Sequence, residues 1–338
     1  MLFPEPKTDF TQLNNMIMES VTAKAVMAAA ELKLFDLLSG GRLTLADIAD
    51  KAGLVPERLE PLLGILAAVG LLVRDGEGYA NAPMGEEYLV SSSPLYQGDF
   101  LALTMGFSAS VEQSLLKLLA GGEVNREGTD RGWSEDRAMN GSAQDALRGG
   151  ARAVADAAAS LPGFETFREM CDIGGNHGLY TMAVLDRNPA LRGTIFDLPS
   201  VVEHSARRCE RLGYGSRVRS VGMDFREETL PEARYDLAVA SHVLYAFKAD
   251  LSGALRKIAD GLKPGGWFIS HHSCGSDGPD KTLPEACLEL VTRLAGYASH
   301  FIGREELAAA LDEAGFEPPD FRSIPGREAR LIACARKC

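Results

Sequence analysis

The sequence predicts an α/β protein: a parallel sheet with helices on both faces, preceded by a mainly helical winged-helix domain. Three observations carry this. From residue 167 onward, short apolar runs alternate with helical segments at the spacing of strand–helix–strand units. The first hundred residues read as three helices followed by a hairpin. A length of 338 residues, with 46% hydrophobic and 24% charged side chains, suits two globular domains. The expected divisions are 1–100, the winged helix; 101–160, a helical connecting segment contributing to a pocket; and 161–338, the α/β domain.

Residues 16–38 are rich in Ala, Leu and Met, with Val21, Ala25, Ala28, Leu32 and Phe35 near one helical face, and Ser39-Gly40-Gly41 ends the pattern. Thr44, with Asp47 three positions on, marks the start of a short helix that turns at Gly53. A third helix spans 56–69. Residues 71–74 and 79–81 read as short strands joined by Asp75-Gly76-Glu77-Gly78.

Such a domain invites a DNA-binding reading, and charge argues against it. The chain carries 35 basic and 47 acidic residues, a net charge of −12. Residues 1–100 hold seven basic side chains (Lys7, Lys24, Lys33, Arg42, Lys51, Arg58, Arg74) against fourteen acidic ones. The third helix offers Arg58 between Glu57 and Glu60, where a recognition helix needs several donors to phosphates and bases. Packing against a second copy, as a homodimer, is the better reading, and no nucleic acid is expected. No stretch approaches the ~18 apolar residues of a membrane span. The N-terminal run Met1-Leu2-Phe3-Pro4-Glu5-Pro6 lacks the pattern of a secretory signal. Six cysteines without a C-x-x-C pair suit reduced thiols, so a cytoplasmic protein is expected.

Residues 95–160 read as helical and connective, broken at Gly121-Gly122 and over 125–132, and closing in one Ala-rich helix from about 142 to 160. Strands are then expected at 169–173, 192–196, 218–223, 235–241 and 266–272, with helices at 180–188, 201–212 and 251–262.

The chemistry sits at strand ends. Cys171-Asp172-Ile173-Gly174-Gly175-Asn176-His177-Gly178 follows the first strand and opens a helix. Glycines there let the backbone approach a ligand closely, and helix N–H groups face the same space. The run lacks both the G-x-G-x-x-G spacing and the P-loop Lys-Ser/Thr. Asp197 closes the second strand, where a carboxylate can accept from both hydroxyls of a ribose. Asp224-Phe225 closes the third, setting an acceptor for an exocyclic amine beside an aromatic ring. Ser241-His242-Val243-Leu244-Tyr245 closes the fourth. In a doubly wound sheet these ends converge on one crevice, and together they suit an adenosine ligand.

Asp172-Ile-Gly-Gly-Asn-His-Gly178, Phe196-Asp-Leu-Pro199, Val221-Gly-Met-Asp-Phe225, Leu262-Lys-Pro-Gly-Gly266 and Glu305-Glu-Leu307 through Ala314-Gly-Phe316, in this order, resemble the S-adenosylmethionine-dependent small-molecule O-methyltransferases. That family pairs a winged-helix dimerisation domain with a Rossmann-like class I methyltransferase domain. The resemblance covers nearly the whole chain and implies S-adenosyl-L-methionine as cofactor, S-adenosyl-L-homocysteine as product and a small, aromatic or conjugated acceptor. It also implies that Gly174 and Gly175 line the methionine part, Asp197 holds the ribose, Asp224 and Phe225 frame the adenine and Ser241 lies beside the methionine end. Asp172 and Leu198 join the same cofactor-binding set.

One departure outweighs the matches. The family commonly carries Leu-His-Asp-Trp after the fourth strand, its His acting as general base; here the run is Leu244-Tyr245-Ala246-Phe247. A neutral Tyr is a poor base at pH 7 but can donate a hydrogen bond. Candidate catalytic residues are therefore Tyr245, His271 and His300. His271 and His272 are adjacent in a strand, so their side chains point to opposite faces. His271, His272, Cys274 and His300 match no recurring metal-ligand spacing, and no metal is expected. The departure keeps two alternatives open: C-methylation on the same fold, or cofactor binding without methyl transfer.

Overall fold

The computed structural model describes residues 3–275, 281–324 and 327–338. Met1 and Leu2 of the N-terminal run lie outside this range. The chain divides into two compact units, Met1–Ala102 and Leu103–Cys338.

The first unit begins with α1 (Thr11–Glu31), followed by α2 (Leu34–Leu37). Residues 16–38, expected as one helix, are instead divided, because Lys33 adopts a left-handed φ of 55° and breaks the helix. That conformation costs about 1–2 kcal/mol for a non-glycine residue, and the turn it makes places Leu34 and Phe35 in the core. β1 (Leu43–Thr44) leads into α3 (Leu45–Ala52), whose start is a reciprocal cap: the Asp47 N–H donates to Thr44 Oγ1 and the Thr44 N–H to Asp47 Oδ2, both at 3.2 Å. Gly53, at φ 66°, ends it. α4 (Pro56–Ala68), β2 (Leu72–Asp75), β3 (Gly78–Asn81) and α5 (Pro83–Leu89) complete the unit, with the strands antiparallel in the order β1-β3-β2. Leu34, Phe35, Leu38, Ile48, Leu63, Leu66 and Tyr79 fill the core. α1 keeps Leu13, Met16, Ile17 and Val21 exposed.

α6 (Gly98–Leu119) continues into the second unit. α7 (Arg126–Gly132) occupies residues read as a break, with Asn125 Oδ1 accepting from the Gly128 N–H as its cap. The single helix expected over 142–160 is instead α8 (Asp136–Asp145), a wide turn over Ala146–Gly150, and α9 (Ala151–Ala159). Gly149 is responsible, with φ 114° and ψ −17°, a conformation open to residues without a Cβ.

Then follow β4 (Glu169–Ile173), α10 (Leu179–Leu185), β5 (Arg192–Asp197), α11 (Pro199–Arg211), β6 (Val218–Gly222), β7 (Tyr235–Ser241), a 3₁₀ segment (Leu244–Asp250), α12 (Leu251–Gly261) and β8 (Leu262–Ser273). α13 (Leu283–Leu294), α14 (Arg304–Glu313), β9 (Asp320–Ile324) and β10 (Arg327–Arg336) close the chain. The sheet order is β6-β5-β4-β7-β8-β10-β9. β4 to β8 are parallel, and β10 is antiparallel to both its neighbours, so the sheet is mixed rather than wholly parallel. Strand order reverses between β4 and β7, which opens a crevice at their carboxyl ends. Leu237 and Val239 bury one face of β7 with α9 and α10, while Ala238 and Ala240 bury the other with α12 and α14. No helix among the described residues is long and apolar enough to cross a membrane.

Candidate functional site

The turn after β4 lies where only glycine fits. Gly174 has φ 66°, and a Cβ on it would stand 2.6 Å from Val243 Cγ2. A Cβ on Gly175 would stand 2.8 Å from the Asp172 carboxyl carbon. Asn176 takes φ 37°, a region Asn tolerates. Two carboxylates hold this turn. The Thr181 hydroxyl donates to Asp172 Oδ2 at 2.7 Å. Asp197 Oδ2 accepts from the Asn176 N–H at 2.9 Å and Oδ1 from the Leu198 N–H at 2.8 Å. From above, the Ser205 hydroxyl donates to the Asn176 carbonyl, and Asn176 Nδ2 donates to the Trp133 carbonyl at 3.3 Å. His177 is buried with Nδ1 accepting from the Leu179 N–H at 3.1 Å, and burial lowers it to about 3, so it is a neutral structural imidazole.

Burial pushes Asp172 up to about 7 and Asp197 up to about 6. A raised carboxyl contributes stability that is complete below the ordinary value of 3.8 and is lost as pH rises through the folded value. Asp172→Asn keeps an acceptor for Thr181 and cannot ionise. Its melting temperature is expected to exceed the wild type above about pH 7, with the advantage disappearing toward pH 3.8. Thermal melts across that window check this, and parallel pH profiles of the two proteins would refute it.

After β6, the Asp224 carboxylate accepts from Arg226 Nε and Nη2 at 2.8 and 2.7 Å, and Arg226 Nη1 reaches Asp130 on α7 at 2.8 Å. Phe225 is buried edge-on against Phe247, ring centroids 5.5 Å apart, with Lys257 Nζ 5.5 Å from its own centroid. At the end of β7, Ser241 is buried and its Oγ has no hydrogen-bond partner among the described residues. Asp172 Oδ1 and Asn176 Oδ1 share that condition. Two carboxylates and a hydroxyl at these strand ends, with a glycine cradle between, fit the hydroxyls, amine and ammonium of an adenosine-bearing amino acid.

The remaining candidates form two clusters. Tyr245 stacks on His300 (centroids 4.7 Å, planes 25° apart) and meets Tyr297 edge-on at 5.0 Å. His300 Nδ1 is 3.1 Å from Thr292 Oγ1, and the His300 backbone N–H donates to Glu289 Oε2 at 3.1 Å. Burial, with Tyr297 nearby, raises the Tyr245 phenol well above its ordinary value; burial lowers His300 to about 4. His271 is fully buried between Tyr180, at 5.6 Å, and His242, at 4.3 Å. His272 turns to the other face, with Nδ1 3.1 Å from Ser270 Oγ.

Sequence reasoning passed over His242, which packs against His271, and the Arg330 and Asp145 linked to it. His242, at φ 54°, lies 3.0 Å through Nε2 from Arg330 Nη1, and that same Nη1 donates to Asp145 Oδ2 at 2.8 Å. His242 stands inside the run quoted for the fourth strand end, so a signal existed. Arg330 lies on a strand whose apolar run lacks alternation, and Asp145 precedes a kink made by Gly149.

The family model described as an O-methyltransferase domain matches residues 133–317, more than half of the chain, and one described as an O-methyltransferase dimerisation domain matches residues 15–91. The chain is 30% identical over 321 residues to the tetracenomycin polyketide synthesis 8-O-methyl transferase of Streptomyces glaucescens, covering 92% of each. It is 29% identical over 306 residues to an N,N-dimethyltransferase of Streptomyces rimosus, covering 87% of each. In fold it resembles human N-acetylserotonin methyltransferase, solved in complex with S-adenosylmethionine, with a TM-score of 0.80, 23% identity and 99% of both chains covered. The motifs, the sheet and these matches agree: the chain belongs to the S-adenosylmethionine-dependent O-methyltransferase family, with that family's dimerisation domain at its N-terminus and its methyltransferase domain after it.

Proposed function

We propose that this enzyme works as a homodimer and methylates a hydroxyl of a small aromatic acceptor. The observation that carries the reading is the set of acceptors at the strand ends flanking the β4 glycine turn: Asp197 on β5, Asp224 after β6 and, on β7, the Ser241 Oγ, unpartnered among the described residues. S-adenosylmethionine, when bound, supplies a sulfonium methyl group as electrophile. Gly174 and Gly175 line its methionine part with Ser241 at the same end, Asp197 takes the ribose, and Asp224 takes the adenine amine, held in place by Arg226. Phe225 forms the apolar wall behind it. Asp172 acts from beneath, by shaping the turn, and Leu198 fixes the Asp197 carboxylate through its N–H. The exposed apolar side chains of α1 and the dimerisation-domain match support the homodimer.

Tyr245, His300 and Tyr297 form an aromatic wall suited to a flat acceptor. A phenol raised above its ordinary value keeps its proton, so Tyr245 orients by donating a hydrogen bond. An imidazole lowered to about 4 is a weak base, which gives His300 an orienting part as well. His271, buried behind His242, supports that ring.

The test is calorimetry with S-adenosylmethionine and S-adenosylhomocysteine, joined to mass spectrometry of the product after ether cleavage. Binding of both and a cleavable methyl are expected. A methyl that resists cleavage would establish C-methylation, and binding without turnover would establish a cofactor-binding protein. Tyr245→Phe is expected to keep kcat within about tenfold. A loss of ~10² or more, the range of a proton-transfer group, would assign it that role instead.

A further inference from the structure

Arg330 lies on β10 directly opposite Ser273 of β8, so its side chain leaves the sheet on the face shared with His271. Its Nη1 carries both of its hydrogen bonds, to Asp145 and to His242. Nε and Nη2 bond to nothing among the described residues, and the side chain is 23% exposed. Asp145 is not reserved for Arg330, since its other oxygen accepts from Arg148. A guanidinium has no acceptor atom and does not give up its proton. His242 Nε2 must therefore present a lone pair to it, which makes His242 a neutral ring protonated at Nδ1. Burial, with His271 and Arg330 beside it, keeps His242 well below its ordinary value.

The surroundings of Arg330 are thus one carboxylate shared between two guanidiniums, the His242 and His271 rings, and His300, which feels the Arg330 charge and stacks on Tyr245. This side of the crevice holds a permanent cation with donors unused among the described residues, near the run from which the family's His is missing.

We infer that Arg330 replaces that base electrostatically, by holding the acceptor hydroxyl as its oxyanion, and that the enzyme therefore selects acidic, conjugated phenols. The inference rests on the methyl-transfer reading above. The phenol O–H breaks and its proton passes to water. The oxygen lone pair then forms the O–CH₃ bond, while the pair of the S–CH₃ bond returns to sulfur. No protein group has to carry the proton. An opposite charge at hydrogen-bond distance lowers an acid by about 1–3 units.

The test uses the full-length protein saturated with S-adenosylhomocysteine and titrated with 7-hydroxycoumarin and 2-hydroxyanthraquinone, whose absorption reports ionisation, alongside their methyl ethers. Each phenol is expected to bind at least about tenfold more tightly than its ether, with its ionisation midpoint lowered by about one unit or more. Arg330→Gln should abolish the shift, and Arg330→Lys should keep part of it, both with S-adenosylhomocysteine affinity retained. Phenols bound no better than their ethers, or an unchanged shift in Arg330→Gln, would overturn the inference. So would a pH–rate midpoint common to acceptors of different acidity, since that midpoint would belong to a protein base. Failure of the wild type to bind S-adenosylhomocysteine would defeat the methyl-transfer reading itself, and is seen in a separate measurement.

Discussion

Replacing Asp197 by alanine is expected to weaken S-adenosylmethionine binding by at least about 100-fold, the largest loss for any single polar side chain in the site. Hydrogen bonds to a charged group contribute ~1.5–3 kcal/mol each, and a carboxylate that takes both ribose hydroxyls makes two. Asp197 also accepts from the Asn176 and Leu198 N–H groups, so alanine leaves two donors of the turn without partners. A fall in apo stability of about 1–3 kcal/mol should accompany the loss of affinity. Asp197→Asn separates the two effects, because an amide oxygen can still serve one N–H while the charge is gone. Affinity should also fall as pH drops through about 6, where the wild-type carboxyl takes up its proton. Calorimetric Kd values for the three proteins check this; an Asp197→Ala protein that binds within threefold of wild type would remove Asp197 from the ribose.

Gly174→Ala should be the most damaging substitution in the turn. At φ 66° an alanine pays about 1–2 kcal/mol for its left-handed backbone, and its Cβ would lie 2.6 Å from Val243 Cγ2. Val243 has little freedom to retreat, being β-branched and next to His242, itself at φ 54°. A total of ~2–4 kcal/mol in stability is expected, with a cofactor affinity reduced at least about tenfold as the turn is pushed into the cradle. Gly40→Ala is the control. It shares a φ of 69° but meets nothing within 4 Å, so only the backbone share should appear. Gly174→Ala with Val243→Ala should recover the steric share and leave the backbone share. Denaturant melts of these three variants decide it, and equal losses at Gly40 and Gly174 would show that the contact with Val243 carries no weight.

The parts of the molecule legible in the sequence share a physical character. The reciprocal cap of Thr44 and Asp47 spans three residues, and the strand–helix alternation that positions Asp197, Asp224 and Ser241 is a local periodicity. The glycine turn was readable because a positive φ and a close approach leave few residue types able to stand there. β10 escaped because it is buried on both faces: Leu331, Ile332, Ala333, Cys334 and Ala335 form a continuous apolar run without the alternation that marks a half-exposed strand. The break at Lys33 escaped because nothing local favours a left-handed lysine; the burial of Leu34 and Phe35 decides it.

By itself, then, the sequence determined an acidic helical unit, a doubly wound α/β sheet and a glycine turn with Asp197, Asp224 and Ser241 at strand ends, followed by the run Leu244-Tyr245-Ala246-Phe247. Only the tertiary structure decided what stands near that run. Asp145 and Arg330 are 185 positions apart, and Arg330 and His242 are 88 apart. Propensity and periodicity act over a few residues, whereas these contacts exist only once β10 has paired antiparallel with β8 and Gly149 has turned α8 away from α9.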